Sequence, residues 1–216
     1  MDSFWTEYKT ILFDLDGTLI NSAKDLTDAL NDVLVTRNIP IVPFEVARPY
    51  AGIGSMAMID CAFNYHKLPE LSLEGKEKLR ADFMEAYAKR VLTSTSPFEG
   101  AEALLDMLNK RGISLILATN KPRRFTEIII AHLGWDKYFK AIACPDDVSK
   151  RKPDPAHLQD ATKMAKVTLE NALMVGDTIA DYEAAKGCNI HIAMVDFIGY
   201  DMKRFPEANY IIKSYL

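Results

Sequence analysis

Five short, predominantly apolar runs constrain the fold of this chain more than any other feature. They occupy residues 10–13, 114–118, 141–144, 172–175 and 190–195. None of them alternates regularly between apolar and polar residues, so a strand formed from any of them has no face that suits water. Such runs are typical of a parallel sheet that is covered on both faces.

Amphipathic segments lie between most of these runs. They span residues 101–110, 124–133, 155–165 and 179–186, with apolar residues at helical spacing. Parallel strands need a long crossover connection, which is usually a helix packed on the sheet. The sequence therefore predicts an α/β fold built on a doubly wound parallel sheet.

The interval between the first and second runs is far too long for one crossover. Apolar residues recur there at helical spacing in three stretches, 26–34, 56–63 and 79–87. Residues that favour turns and linkers flank the interval, above all in Thr93-Ser94-Thr95-Ser96-Pro97. We expect a core domain of residues 1–20 and 95–216, with a helical domain of residues 21–94 inserted into it.

Composition and charge narrow the classes of partner. The formal net charge of the 216-residue chain is −4, and non-specific binding to nucleic acid requires a basic surface instead. The first residues carry no basic signal-peptide pattern, and no apolar stretch is long enough to span a bilayer. We therefore expect a cytoplasmic protein that binds neither nucleic acid nor membrane.

Four acidic residues follow two of the predicted strands. Asp14 and Asp16 come directly after the first run, and Asp177 follows the fourth run with Asp181 one helical turn later. Because open α/β sheets bind ligands at the carboxyl ends of their strands, we expect these carboxylates to meet at one edge. A single acidic pair would be equally consistent with a turn. Crowded carboxylates need compensating positive charge, and an oxygen-rich site of this kind favours Mg²⁺.

Further polar residues are predicted to lie at the same edge. Lys152 precedes a predicted helix and is the candidate for a fixed positive charge. Thr119 and Asn120 follow the second run, and their side chains and backbone N–H groups suit phosphate oxygens. In the helical insert, Arg48 opens a loop, residues 48–55, from which it could pair with a substrate carboxylate. A plain connection between helices explains that loop equally well.

In order along the chain, these residues resemble the four motifs of the haloacid dehalogenase superfamily. The matching segments are Asp14-Leu15-Asp16-Gly17-Thr18, then Thr119, then Lys152, then Gly176-Asp177-Thr178 with Asp181. The resemblance covers nearly the whole chain, and residues 152–155 and 176–186 look most like phosphoglycolate phosphatases. It implies a core sheet of order 3-2-1-4-5 and identifies the insert as a helical cap domain.

The resemblance also implies a role for each residue of the core site. Asp14 would attack phosphorus and form an aspartyl phosphate. Asp16 would protonate the leaving oxygen and then activate water. Thr119 and Lys152 would hold the transferring group, with Asn120 beside them.

The metal ligands follow from the same resemblance. Mg²⁺ would be held by the carboxylate of Asp14, the backbone carbonyl of Asp16 and the carboxylate of Asp177. Asp181 would orient these groups without touching the metal.

The expected function is a Mg²⁺-dependent phosphatase acting on a small, phosphoglycolate-like phosphomonoester. The dehalogenases of the superfamily lack an acid at the position of Asp16, which disfavours dehalogenation. A sugar-phosphate mutase stays an alternative, although mutases carry a histidine where Leu26 aligns, as does a catalytically silent binding protein on this fold. Asn21 replaces an aspartate usual in phosphoglycolate phosphatases, which leaves the substrate open. The expected partner is a small phosphorylated metabolite, and the chain would be a monomer or a homodimer.

Overall fold

The computed structural model describes residues 3–197, 199 and 202–216. The chain forms two compact units, one comprising Met1–Ile20 and Pro97–Leu216 and the other Asn21–Ser96. The end of the inserted domain predicted from the sequence, residue 94, lies two residues before the end of the second unit. The identification of the second unit as a cap over the active site stays a prediction.

The secondary structure alternates between strands and helices in the first unit and is largely helical in the second. The strands are β1 (Thr10–Phe13), β2 (Ile20–Asn21), β3 (Ser96–Pro97), β4 (Ser114–Ala118), β5 (Ala141–Ala143), β6 (Ala172–Gly176), β7 (His191–Val195) and β8 (Tyr210–Ile212). The α-helices are α1 (Ala23–Thr36), α2 (Phe44–Ala47), α3 (Ser55–Tyr65), α4 (Leu73–Ala88), α5 (Ala101–Lys110), α6 (Arg123–Leu133), α7 (Ala156–Met164) and α8 (Ile179–Gly187). Within the described ranges, no helix combines the length and the apolar character needed to cross a bilayer.

The first unit contains a six-stranded sheet in the order β5-β4-β1-β6-β7-β8. Every neighbouring pair in it is parallel, and Leu12 of β1 lies in register between Ile116 of β4 and Met174 of β6. The five predicted strands stand in the order that the resemblance implied. The doubly wound α/β fold is therefore confirmed.

The sixth strand, β8, was not predicted. It is only three residues long, and Ile211 at its centre is 40% exposed, so no continuous apolar run marks it. It pairs with β7 at the edge of the sheet, where Phe4 stacks on Tyr210 with ring centroids 3.9 Å apart. The aromatic residues at the start of the chain thus cover this strand.

Strand β1 lies at the centre of the sheet and is buried on both faces. All four of its residues are buried, although successive side chains point to opposite faces. On one face Leu12 belongs to an apolar cluster with Leu158 of α7 and Ala184 of α8. Because the neighbours of β1 are β4 and β6, the residues that follow these three strands emerge together at one edge.

In the second unit, the two long helices α1 and α4 pack against each other. The predicted apolar positions Leu30 of α1 and Phe83 of α4 are fully buried. Near the start of α1, the buried carboxylate of Asp25 accepts hydrogen bonds from the backbone N–H groups of Ser94 and Thr95 at 2.9 Å. These bonds tie the returning segment to the first turn of the helix.

Candidate active site

The first motif forms a tight loop at the carboxyl end of β1. The backbone N–H of Asp14 donates to the carbonyl of Val175 in β6 at 2.9 Å, which continues the strand pairing by one residue. The loop then closes through a hydrogen bond from the N–H of Gly17 to the carbonyl of Ile20, also at 2.9 Å. Gly17 has a φ of +79°, which glycine adopts without strain. Asp14 is thereby fixed beside the end of β6.

The fourth motif places Asp177 and Asp181 at the end of β6 and the start of α8. Thr178 caps α8, and Asp181 Oδ2 accepts from both the N–H (3.0 Å) and the hydroxyl (2.7 Å) of Thr178. This reciprocal cap points the Asp181 carboxylate back toward the sheet edge. Carboxylate oxygens of Asp14, Asp177 and Asp181 lie within 4.8 Å of one another, and all three residues are buried.

Lys152 supplies a buried positive charge to this cluster. Its Nζ lies 2.6 Å from Asp181 Oδ1, 2.6 Å from the carbonyl oxygen of Ala118 and 3.1 Å from Asp14 Oδ1. Burial alone lowers the pKa of Lys152, but the carboxylates of Asp14 and Asp181 outweigh burial and hold that pKa above its ordinary value. The lysine is therefore charged at neutral pH.

Two of the carboxyl groups have pKa values above the ordinary range of aspartate. Burial raises the pKa of Asp14 to about 7; Lys152 opposes the shift, and the charge of Asp181 adds to it. Burial, followed by the charges of Asp181 and Asp14, raises the pKa of Asp177 well above its usual range. Burial and mutual repulsion thus favour the protonated forms of these two carboxyl groups as long as no further positive charge is bound.

Asp16 pairs with Lys121, a lysine to which no sequence pattern assigns a role. The Nζ of Lys121 lies 3.0 Å from both carboxylate oxygens of Asp16, and its side chain is only 3% exposed. Lys121 stands directly after Thr119 and Asn120 at the end of β4, which is the one signal that pointed to it. The sequence gives the residue type there but not the direction of its flexible stem.

Thr119 and Asn120 lie at the same edge, as predicted. The hydroxyl of Thr119 accepts from the N–H of Lys121 at 3.1 Å. Asn120 donates from Nδ2 to the carbonyl of Lys152 at 2.9 Å, so this side chain braces the loop that carries the lysine. Its binding of substrate stays a prediction.

Two further residues, Thr18 and Tyr215, hold Asp177 in place. No sequence pattern predicts this role for them. Thr18 donates from its hydroxyl to Asp177 Oδ1 at 3.0 Å, and its carbonyl accepts from the hydroxyl of Tyr215 at 3.0 Å. Both residues are buried. The distance in sequence between Tyr215 and the first motif left no pattern from which this contact could be inferred.

Arg48 belongs to the second unit. There its guanidinium carbon lies 5.8 Å from the ring centre of Phe44, and Nη1 lies 3.9 Å from Glu45. Its contact with a substrate carboxylate stays a prediction.

The chemistry of the core cluster fits a divalent cation with a preference for oxygen ligands. Three buried carboxylates converge, and Asp14 Oδ1 accepts no hydrogen bond from the described residues despite its ion pair with Lys152. Among the described residues, Lys121 forms an ion pair with Asp16, and Lys152 forms ion pairs with Asp14 and Asp181. If all six groups are charged, two negative charges remain, which one Mg²⁺ would balance.

Gly17→Ala is expected to destabilise the first motif by displacing Asp177. A Cβ at residue 17 would lie 2.2 Å from Asp177 Oδ2, and its φ of +79° would strain any L side chain. Gly112 is a matched control, because its φ is +76° but nothing lies within 4 Å of the added Cβ. We expect Gly17→Ala to lower the free energy of unfolding by about 2 kcal/mol more than Gly112→Ala, as overpacking usually does. Equal losses in urea titrations of the two variants would contradict the clash.

His157 is a buried histidine that supports the Lys152 loop. Its Nδ1 lies 3.2 Å from the N–H of Lys152, and its Nε2 lies 3.2 Å from the carbonyl of Ala143. The tautomer with hydrogen on Nε2 satisfies both bonds. Burial, and then the charge of Lys152, lowers the pKa of His157 from 6.5 to about 4.

This lowered pKa predicts an acid-sensitive contribution to stability. As pH falls below 6.5 the unfolded chain binds the proton first, so stability is lost between pH 6.5 and about 4. We expect the wild type to lose about 2 kcal/mol more of unfolding free energy between pH 7 and pH 5 than His157→Gln. Urea titrations in chelator measure this difference, and the exposed His132 provides the control variant His132→Gln. An identical pH dependence in wild type and His157→Gln would refute this assignment.

Comparison of the sequence with known protein families shows which family this chain resembles. Residues 11–195 match the family model described as haloacid dehalogenase-like hydrolase. The chain is 36% identical over 199 residues to a phosphoglycolate phosphatase of Mesorhizobium japonicum, covering 91% of this chain and 86% of the relative. It is 31% identical over 194 residues to an N-acetylmuramic acid 6-phosphate phosphatase of Pseudomonas aeruginosa, covering 89% and 83%.

Solved structures share the fold. The crystal structure of CbbY from Rhodobacter sphaeroides in complex with phosphate superposes with a TM-score of 0.77 at 21% identity, covering 96% of this chain and 95% of that one. A predicted phosphoglycolate phosphatase from Haemophilus somnus gives a TM-score of 0.84 at 22% identity, covering 97% and 95%. The chain therefore belongs to the haloacid dehalogenase-like hydrolase family and is similar to its phosphoglycolate phosphatases.

Proposed function

We propose that this chain is a Mg²⁺-dependent phosphatase that hydrolyses a small phosphomonoester through an aspartyl phosphate on Asp14. The observation that carries the proposal is the buried cluster of Asp14, Asp177 and Asp181 around Lys152 at the carboxyl edge of the sheet. Carboxylates this close are tolerated where a buried lysine and a bound cation offset their charge, and the same positive charges attract an anionic substrate.

The nucleophile in this proposal is a carboxylate oxygen of Asp14. It forms a bond to phosphorus while the bond between phosphorus and the leaving oxygen breaks, and Asp16 gives that oxygen a proton. Asp16 then takes a proton from water, whose oxygen attacks phosphorus and releases inorganic phosphate and free Asp14. The net reaction converts the ester and water into an alcohol and inorganic phosphate, and Asp14 and Asp16 return to their starting states.

Two residues would support the transferring group. Lys152 directs its ammonium group toward Asp14, Asp181 and the Ala118 carbonyl, so it counters the negative charge of the nucleophile as phosphate approaches. Thr119 would offer its hydroxyl to a phosphoryl oxygen from the end of β4. Positioning and charge balance of this kind provide most of the catalysis in phosphoryl transfer.

The metal ligands in the proposal are the Asp14 carboxylate, the Asp16 backbone carbonyl and the Asp177 carboxylate. Both oxygens of Asp181 are occupied, one by Lys152 and the other by Thr178, which supports an orienting role for Asp181 rather than direct ligation. When bound, Mg²⁺ would neutralise charge on the phosphoryl oxygens.

The proposed substrate is a phosphomonoester of a small carboxylic acid. Two relatives are named for phosphoglycolate and for N-acetylmuramic acid 6-phosphate, and both names describe phosphate esters of acids. Arg48 would pair with the substrate carboxylate. In that case Arg48→Met raises KM for phosphoglycolate and leaves KM for an uncharged-alcohol ester such as ethyl phosphate unchanged.

A panel of phosphate esters tests the proposed function. The purified chain is assayed for phosphate release with 2-phosphoglycolate, N-acetylmuramic acid 6-phosphate, ethyl phosphate and p-nitrophenyl phosphate, each with Mg²⁺ and with chelator. We expect Mg²⁺-dependent release, fastest on an ester that carries a carboxylate. No release from any ester would favour the binding protein, and isomerisation of a sugar phosphate without release would favour the mutase.

A further inference from the structure

Lys121 is a buried charged residue that the proposed chemistry leaves without a task. Only 6% of the residue is exposed, and its Nζ lies 3.0 Å from each carboxylate oxygen of Asp16. Lysine is rarely buried unless it is paired, because removal of its charge from water costs several kcal/mol. The ion pair with Asp16 supplies charge compensation of this kind.

The backbone of Lys121 is fixed as firmly as its ammonium group. Its N–H donates to the Thr119 hydroxyl at 3.1 Å, and its carbonyl accepts from the Thr126 hydroxyl at 3.3 Å. These bonds anchor the base of the side chain between the end of β4 and the start of α6. The position of Nζ is thus set by the rigid core and not by the flexible stem alone.

The two lysines of the site serve different carboxylates. Lys152 contacts Asp14 and Asp181, whereas Lys121 forms an ion pair with Asp16 in which Nζ lies at equal distance from both carboxylate oxygens. Equal contact with both oxygens restricts rotation of the carboxylate about its last bond. Proton transfer requires the acid within hydrogen-bond reach and correctly aligned, so such a restriction acts directly on that step.

We propose, on the basis of the phosphatase activity proposed above, that Lys121 is a positioning residue that holds the Asp16 carboxylate in line with the leaving oxygen. Lys121 takes no proton and forms no bond to phosphorus. It acts on the reaction only through Asp16, and it matters most when the leaving oxygen requires a proton.

Leaving-group dependence separates this role from a direct contact with phosphate. An alkyl ester such as 2-phosphoglycolate expels a basic oxygen that must be protonated, whereas p-nitrophenyl phosphate expels a weakly basic one. The ratio kcat/KM reports the steps up to departure of the leaving group, and it excludes the later attack of water. A residue that orients the acid therefore affects kcat/KM for the alkyl ester selectively.

The test measures kcat/KM of the full chain and of Lys121→Met on both esters with Mg²⁺. We expect a loss of about 100-fold on 2-phosphoglycolate and of less than about tenfold on p-nitrophenyl phosphate. Lys163→Met, at an exposed lysine of α7, is the control that keeps wild-type values. Equal losses on the two esters, or no loss on either, would overturn the proposal.

A double-mutant cycle gives the same answer with one substrate. If Lys121 acts through Asp16, Lys121→Met changes kcat/KM on 2-phosphoglycolate by less than about twofold in the Asp16→Asn background. A loss in that background as large as in the wild type would show direct action on substrate and would overturn the proposal. Lys121→Arg replaces Lys121→Met in both tests if the latter does not fold, with a smaller but equally selective loss expected.

These outcomes are separate from those of the proposed function. If the wild type hydrolyses no ester, the phosphatase itself is wrong. If the wild type is active and Lys121→Met shows no selectivity, only the role of Lys121 is wrong.

Discussion

Asp14→Asn is expected to lower kcat by at least about 10⁴-fold on every phosphate ester that the wild type hydrolyses, because an amide oxygen is too weak a nucleophile to attack phosphorus. The fold is expected to persist. The buried carboxyl already has its pKa raised to about 7 by burial, so a neutral amide is well suited to the same position. Initial rates with Mg²⁺ measure the loss, and urea titrations in chelator measure the stability.

The matched control for this variant is Asp106→Asn. Asp106 lies on α5 of the same unit, pairs with Lys110 one turn away and has a side chain 42% exposed. The substitution Asp106→Asn removes the same charge from the chain as Asp14→Asn, and we expect this variant to keep the wild-type rate. An Asp14→Asn protein that is correctly folded and retains more than about a hundredth of the wild-type rate would show that Asp14 is not the nucleophile.

Lys152→Met is expected to have the largest effect on stability. The substitution leaves the buried carboxylates of Asp14 and Asp181 without their ammonium partner and removes a hydrogen bond to the Ala118 carbonyl. Breaking a buried ion pair from one side costs about 3–5 kcal/mol. We expect a loss of that size in the free energy of unfolding at pH 8 in chelator, where the carboxylates have the greatest tendency to ionise.

A double variant identifies the source of this loss. Lys152→Met with Asp181→Asn removes both partners of the 2.6 Å contact and should recover part of the stability lost in Lys152→Met alone. Lys163→Met, which removes a lysine from the surface, is expected to change stability by less than about 0.5 kcal/mol. A loss below about 1 kcal/mol for Lys152→Met would mean that the ammonium group does not compensate the cluster.

The sheet was predictable wherever a strand is buried on both faces. Strand β1 is apolar at three of its four buried positions, Ile11 to Phe13, and a run of this kind has few alternatives to a central parallel strand. Strand β8 was not predicted because it is an edge strand of three residues with an exposed centre. It is held by its pairing with β7 and not by a continuous apolar run. The sequence records what a segment buries, but not what it pairs with.

The carboxylate cluster was predictable for a related reason. Once β1 and β6 are parallel neighbours, the residues after them, Asp14 and Asp177, have to meet at one edge. The contacts made by long side chains were not predictable in this way. Lys121 reaches Asp16 through a four-carbon stem, and Tyr215 reaches Thr18 across most of the chain, so neither contact leaves a local pattern.

The central claim, that Asp14 carries the phosphoryl group, is tested most directly by trapping that group. Asp16→Asn is mixed with p-nitrophenyl phosphate and Mg²⁺, because this ester leaves without a proton while the water step is slowed. The quenched protein is reduced with borohydride, which converts an aspartyl phosphate into homoserine, and is then digested for mass spectrometry. We predict homoserine at residue 14 and unchanged aspartate elsewhere. Release of nitrophenolate with intact aspartate at residue 14, or homoserine at another position, would contradict the mechanism.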